Sequence, residues 1–228
     1  MKRILVILAG LLAAAPLFSQ EFSPRETWPF VYEEFLPGAV RMPDGSFVQE
    51  GRYNIAVTDG SLLYVDDGGV IMRPDMTRVY TAKVGEDVYV NVLGKMYKVL
   101  SESDGGAVLL GVEIDVEKRN SVSIGYGISS STASSQGLLN VRSFDPKGKK
   151  LEQTALDKYQ GEVLPVKNIM YFRIGSSLIP ANRQDVLNFP GVDRKQASAF
   201  FKQEKIKWKD LASLEKVLLF IHEQLEQK

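Results

Sequence analysis

Side chains that could carry out acid–base or nucleophilic catalysis are scarce in this sequence. The chain of 228 residues has a single histidine, His222, and no cysteine. A Ser–His–Asp triad would have to use His222 as its base. That residue lies near the end of a helical pattern, where the helix dipole favours a histidine on the surface. Histidine- or thiolate-based metal sites lack ligands for the same reason. We therefore expect no catalytic residue, no metal and no cofactor.

Carboxylates are the remaining chemical candidates, because the chain has 28 Asp and Glu residues. A glycosidase-like mechanism would need two of them to converge in one cleft. The candidates are Glu33, Glu34, Asp66, Asp67, Glu113 and Asp115. Residues 66–69 are typical of a turn, in which carboxylates face water, and the flanking sequence lacks the spacing of an EF-hand. A carboxylate-dependent hydrolase is therefore the less favoured alternative.

Residues 186–197 look like the helix-hairpin-helix motif of DNA-repair proteins. The motif has a glycine where this chain has Asp193, and a carboxylate there would repel a phosphate. The 28 Lys and Arg residues balance the 28 acidic residues, so no overall field attracts nucleic acid. We interpret the segment as a helical turn and expect no nucleic-acid partner.

Residues 1–19 have the pattern of a signal peptide. Lys2 and Arg3 precede an apolar run over 4–15, which is too short to span a bilayer core of ~30 Å. Ser19 offers a small residue at the cleavage position. We predict cleavage after Ser19 and export to the periplasm or an outer-membrane-associated location, with no transmembrane span in the mature chain.

Residues 20–118 are predicted to form an antiparallel β-meander, as a sheet or a small barrel. Runs rich in β-branched and aromatic residues alternate with Asp-Gly and other glycine-containing turns. The predicted strands cover residues 53–57, 62–65, 78–83, 87–92, 96–101 and 107–112. Such a sheet needs a cover on its apolar face.

Composition divides the rest of the chain into two regions. Residues 119–165 form a long Ser/Gly-rich insertion or flap. Residues 166–228 are predicted to form a hairpin followed by three helices that pack on the open side of the sheet. The residues that can cap these helices are Asn182, Asp193 and Asp210. The apolar stripe of the last helix is Leu211, Leu214, Leu218, Ile221 and Leu225. The expected fold class is α+β.

Two segments are candidates for contact with a partner. The first, TWPFVYEEF, contains Trp28, Phe30, Tyr32 and Phe35, a large apolar content for the start of a mature chain. It is either folded back on the core as a strand or tether, inserted into a partner, or used as a platform for stacking a sugar. The choice between these interpretations stays open at the level of sequence.

The second candidate is SVSIGYGISSS, residues 121–131. Its period of two places four apolar residues on one face, namely Val122, Ile124, Tyr126 and Ile128. The segment is an edge strand, a flap or a mobile loop, or else a strand that becomes ordered by pairing with the exposed sheet edge of a partner. It lacks the charges and prolines that discourage edge pairing.

Several stretches carry a resemblance over most of the chain. They are TWPFVYEEFLPGAVRMPDGS, GEDVYVNVLGKMYKVLSES, the Ser/Gly run, and FPGVDRKQASAFFKQEKIKWKDLASLEKVLLF. With these the chain resembles a family of exported cell-envelope proteins of the Bacteroidota type, to which no activity is assigned. The resemblance implies an envelope location and no site residues.

We therefore expect a non-catalytic scaffold or accessory module that contacts an envelope protein in an outer-membrane-associated assembly. The alternative is a periplasmic or surface module that binds a small apolar or glycan ligand.

Overall fold

The computed structural model describes residues 30–115, 149–150 and 166–226, with the side chains of all of them except 48–50, 149 and 150. This part of the chain forms one antiparallel sheet of eleven strands, followed by three helices. The strands are β1 (Leu36–Arg41), β2 (Phe47–Ile55), β3 (Leu62–Val65), β4 (Ile71–Arg73), β5 (Thr81–Val84), β6 (Asp87–Val92), β7 (Lys95–Ser103), β8 (Gly106–Ile114), β9 (Lys149–Lys150), β10 (Val166–Ile174) and β11 (Ser177–Pro180). The helices are α1 (Arg183–Asn188), α2 (Arg194–Gln203) and α3 (Leu211–Glu226).

The strand order is β11-β10-β8-β7-β6-β5-β1-β2-β3-β4-β9. The sheet consists of two meanders. The first contains β1 to β4, and the second contains β5 to β8 followed by β10 and β11. They are joined where β1 pairs with β5. The predicted α+β class, with an antiparallel sheet, a hairpin of β10 and β11 and three C-terminal helices, is confirmed. The chain leaves β8 at Ile114 and rejoins the sheet first as β9, which pairs with β4, and then at Val166, which pairs directly with Ile114. Apart from Lys149 and Lys150, the predicted insertion lies outside the described residues. This includes Val122, Ile124, Tyr126 and Ile128, and Trp28 also lies outside them.

Three strands, β1, β4 and β9, were not predicted from the sequence. The start of β1 reads Leu36-Pro37-Gly38, and both proline and glycine are poor strand formers. The glycine is required by a close approach, because a Cβ on Gly38 would lie 2.0 Å from the carbonyl oxygen of Lys83 on β5. The pairing of β1 with β2 shifts register just after this residue, which marks a bulge.

The sheet curls so that hairpins from distant strands meet. The backbone N–H of Met96 on β7 donates a 2.8 Å hydrogen bond to the carbonyl of Gly60, in the turn between β2 and β3. The side chain of Lys95 lies against the same glycine. A buried cluster is formed by strand residues of this curled part, namely Val40, Tyr53, Ile55, Leu62, Ala82, Val84, Tyr89 and Met96, together with Val79.

The helices cover one face of the other half of the sheet. Side chains from β8 and β10, such as Val108 and Phe172, form one buried cluster with residues of all three helices. The predicted stripe of α3 is confirmed at Leu214, Leu218 and Ile221, which are buried in this cluster. The predicted caps are also present. The side chains of Asn182, Asp193 and Asp210 accept hydrogen bonds from backbone N–H groups of the first turns.

Candidate functional site

Three of the residues predicted to contact a partner pack against the chain's own sheet. Phe35 is 1% exposed, and its ring lies 5.2 Å from that of Phe30 in an edge-to-face arrangement. Both belong to a cluster with Leu63 and Ile71 on β3 and β4. A partner contact through Phe35 would therefore require residues 30–35, the N-terminal segment, to leave the core.

The buried amide of Asn54 on β2 fixes this N-terminal segment. Its Oδ1 accepts a hydrogen bond from the backbone N–H of Tyr32 at 3.2 Å. Its Nδ2 donates to the carbonyl oxygens of Tyr32 at 3.0 Å and Glu34 at 2.9 Å. Because Asn54 is fully buried, these bonds meet the requirement that interior polar groups be paired.

Tyr32 also reaches across to β6. Its hydroxyl donates a 2.6 Å hydrogen bond to Asp87 Oδ2 and lies 2.7 Å from the hydroxyl of Tyr89, which must then act as the donor between the two tyrosines. The other oxygen of Asp87 lies 2.7 Å from the ammonium of Lys98. The result is a connected polar network of four side chains that joins the N-terminal segment to β6 and β7.

The protonation states of this network are fixed near neutral pH. Burial, followed by the hydrogen bond to Asp87, raises the pKa of Tyr32 far above its usual range. Burial raises the pKa of Tyr89 to about 12. Burial alone would raise the pKa of Asp87, but the bonds from Lys98 and Tyr32 outweigh it and hold that pKa below its usual value. Neutral phenols and an ionised carboxylate suit a structural network, because a general base or acid needs a pKa near the working pH.

A second tyrosine pair lies on the sheet face formed by β7, β8 and β10. The rings of Tyr97 and Tyr171 meet edge to face at 5.3 Å above Gly111, where a Cβ would lie 2.9 Å from the Tyr171 ring. The Tyr171 hydroxyl donates to Glu113 at 3.0 Å. Burial, and then this bond, raises the pKa of Tyr171 well above its usual range. Glu113, one of the predicted hydrolase candidates, is therefore engaged in packing this face.

Two other chemical candidates, Asp66 and His222, also make local structural contacts. Asp66 Oδ1 accepts hydrogen bonds from the N–H groups of Gly68 and Val70, so that its carboxylate closes the turn. His222 Nε2 lies 3.3 Å from Glu226 Oε1, one turn further along α3. Among the residues with described side chains, no group of three His, Cys, Asp or Glu is placed to hold a metal ion.

The most unusual exposed residue is Leu93, at the tip of the hairpin between β6 and β7. Leu93 has a φ of 53° and Gly94 a φ of 84°, the left-handed pair required by a type I′ turn. Asparagine or glycine is favoured at the first of these positions, and the left-handed conformation costs other residues roughly 1–2 kcal/mol. Yet Leu93 is 96% exposed and gains almost no packing in return.

Two exposed aromatic residues lie at the same end of the sheet as this hairpin, on opposite faces of it. Phe47, at the start of β2, is 74% exposed, and Tyr80, just before β5, is 47% exposed. The guanidinium of Arg41 lies over the Phe47 ring, 6.0 Å from its centroid. We name Phe47, Tyr80 and Leu93 the apolar rim. Since β2, β1, β5 and β6 are consecutive in the sheet, with about 4.8 Å between strands, the rim extends over roughly 15 Å.

Backbone and side-chain hydrogen bonds hold the hairpin tip against the segment that contains Tyr80. The N–H of Tyr80 donates to the carbonyl of Arg41, and the N–H of Asn91 donates to the carbonyl of Tyr80, both at 2.9 Å. The Asn91 amide donates to the carbonyls of Met76 at 2.6 Å and Val79 at 2.8 Å, and it accepts from the N–H of Gly94 at 2.9 Å. The strained hairpin tip is thus held in a fixed position.

Sequence reasoning identified the turn at Leu93-Gly94 but not its exposed leucine. The residue type could have revealed it, because a two-residue hairpin loop that ends in glycine favours asparagine or aspartate before the glycine, and this chain has leucine there. Phe47 and Tyr80 carried no such signal, since Tyr80 lies in an alternating pattern that also fits a buried position and no strand was predicted at Phe47.

No family model, no curated protein and no solved structure matches this chain. Among the helices of the described residues, none combines the length and the apolar composition needed to cross a membrane.

Proposed function

We propose that this protein is a non-catalytic module that contacts a protein partner through the apolar rim. In the setting expected from residues 1–19, it would act as a scaffold or accessory component of an outer-membrane-associated assembly. Export and the envelope location rest on the signal-peptide pattern and on the resemblance described above.

The observation that carries the proposal is the combination of strain and exposure at Leu93. A leucine that is 96% exposed adds little to the core, while its φ of 53° lowers the stability of the hairpin. Asparagine in its place would relieve the strain without loss of packing. A leucine at this position is explained if its side chain fills a pocket on another molecule.

The composition and shape of the rim favour a protein surface as that molecule. Aromatic residues and arginine are enriched at protein interfaces, and the rim combines Phe47 and Tyr80 with Arg41. A small apolar or glycan ligand would instead need a concave site, whereas the apolar rim lies on strand ends and hairpin tips. The cluster of buried side chains in the curled part of the sheet, which includes Tyr53 and Leu62, occupies the space where such a ligand would be enclosed.

Site-specific photocrosslinking in the native cell envelope tests the proposal. A photoreactive side chain at position 93 is expected to give one discrete protein adduct, and a second substitution, Phe47→Ser, is expected to weaken it strongly. The matched control is position 219 on α3, since Leu219 is also exposed but unstrained, and it should give no such adduct. Adducts only with lipid or glycan, or none at all, would contradict a protein contact at the rim.

A further inference from the structure

A cleft separates α1 from α2, far along the chain from the apolar rim. Its volume is about 390 Å³, within the range of roughly 300–1,000 Å³ that is common for binding sites. Five side chains line it, namely Arg183, Gln184, Leu187, Asn188 and Arg194. The lining thus has two guanidinium groups, two amides and one apolar side chain, and no acidic group.

The local sequence explains why these side chains converge. Arg183 and Leu187 are one helical turn apart on α1, as are Gln184 and Asn188, so that all four share one side of the helix. The chain then reverses at Gly191, which has a φ of 96° and leaves no room for a side chain because Leu225 of α3 packs against it. This reversal places the first residue of α2, Arg194, across from α1.

The guanidinium of Arg194 is held in a fixed orientation. Its Nε donates to the carbonyl of Leu187 at 3.1 Å, and one terminal nitrogen donates to Asn188 Oδ1 at 2.8 Å. Arg183 makes only a long contact of 3.5 Å to Ser198 Oγ on α2. A guanidinium offers more N–H donors than these bonds use, so both arginines retain donors for a ligand.

The acidic residues at the start of the two helices do not line the cleft, and each caps its own helix or bonds to a neighbouring amide. Asp193 Oδ1 accepts hydrogen bonds from the N–H groups of Lys195 and Gln196 as the cap of α2. Asp185 accepts a hydrogen bond from the side-chain amide of Asn182. Two guanidinium groups and no carboxylate line the cleft, and paired arginines with free donors recognise carboxylates in a bidentate manner.

We propose that this cleft binds an acidic peptide segment, with Arg183 and Arg194 on its carboxylates and the amides of Gln184 and Asn188 on its backbone. A peptide fits better than a phosphate group, because the cleft is larger than a single anion and includes the apolar side chain of Leu187. The inference does not depend on the apolar rim.

Titration of the ¹⁵N-labelled full-length chain tests the site. The probes are a blocked tetraglutamate peptide, the matched tetraglutamine peptide and inorganic phosphate. Tetraglutamate is expected to saturate the shifts of Gln184, Asn188 and the Arg194 side chain. Tetraglutamine should bind at least about tenfold more weakly, because a charge-assisted hydrogen bond is lost at each carboxylate.

Substitutions separate binding from folding. Arg194→Gln removes two bonds to α1 and can loosen the helix pair, whereas Arg183→Gln removes only the 3.5 Å contact. Arg183→Gln should therefore keep the melting temperature and weaken tetraglutamate binding about tenfold. Lys195→Gln on the outer side of α2 is the control and should bind almost as the wild type does. Equal affinity for phosphate and peptide, no saturation, or equal effects of Arg183→Gln and Lys195→Gln would overturn the proposal.

Discussion

The hydroxyl of Tyr32 donates a 2.6 Å hydrogen bond to the carboxylate of Asp87, and so joins the N-terminal segment to the start of β6. The same carboxylate is paired with Lys98 on β7. With Asn54 holding the backbone of the segment from β2, residues 30–35 are attached to three strands that are not all adjacent in the sheet. The segment therefore stabilises the curl of the sheet.

Tyr32→Phe should lower the free energy of unfolding by about 1–3 kcal/mol. The substitution keeps the ring, but it leaves the carboxylate of Asp87 and the hydroxyl of Tyr89 without one partner each. Urea unfolding followed by circular dichroism measures the change. Tyr80→Phe is the matched control, because that side chain is about half exposed, and it should have almost no effect. Equal stabilities of the two variants would show that the network does not stabilise the curl.

The buried tyrosines should make the fold sensitive to alkaline pH. The pKa of Tyr89 is raised to about 12 in the folded state, against about 10 when unfolded. A raised pKa contributes stability that is complete below pH ~10 and is lost as the pH rises towards 12. Chemical unfolding at several pH values should therefore show a steeper alkaline loss for the wild type than for Tyr89→Phe. Parallel curves would mean that Tyr89 does not titrate differently in the two states.

Asn54→Asp should be among the most destabilising isosteric changes in the chain. The new carboxylate could still accept from the N–H of Tyr32, but it would face the carbonyls of Tyr32 and Glu34 without a donor. An unpaired buried charge costs several kcal/mol, so we expect a loss of about 3 kcal/mol or more at neutral pH. The loss should shrink as the carboxyl becomes protonated in acid. Asp67→Asn, in the exposed turn before β4, serves as the reverse comparison, and a similar small effect for both changes would contradict the anchoring role of Asn54.

Local chemistry made much of the fold predictable. The Asp-Gly turns set the strand boundaries, and the helix caps at Asn182, Asp193 and Asp210 act within a few residues of sequence. The predicted strand over 78–83 instead begins at Thr81, because Asp75 caps a short 3-10 helix, Met76–Arg78, before it. Such a local competition between turn and strand is hard to resolve from composition.

The candidate site was less predictable, because its properties arise from long-range contacts. Tyr32 and Phe35 were singled out for their apolar character, but whether they meet a partner or the chain's own sheet depends on Asn54 and Asp87, which are distant in sequence. The exposure of Phe47 depends on its place at the start of β2 in the curled sheet. For Val122, Ile124, Tyr126 and Ile128, the prediction of a partner-pairing strand stays a prediction.

Comparison of Leu93→Asn with the wild type tests the central claim most directly, by measuring stability and complex formation on the same protein. Relief of the left-handed strain should raise the free energy of unfolding by about 0.5–1 kcal/mol, while co-purification of the envelope partner with the protein is lost. Leu219→Asn should leave the complex intact. A Leu93→Asn variant that is less stable than the wild type, or that still forms the complex, would contradict the account.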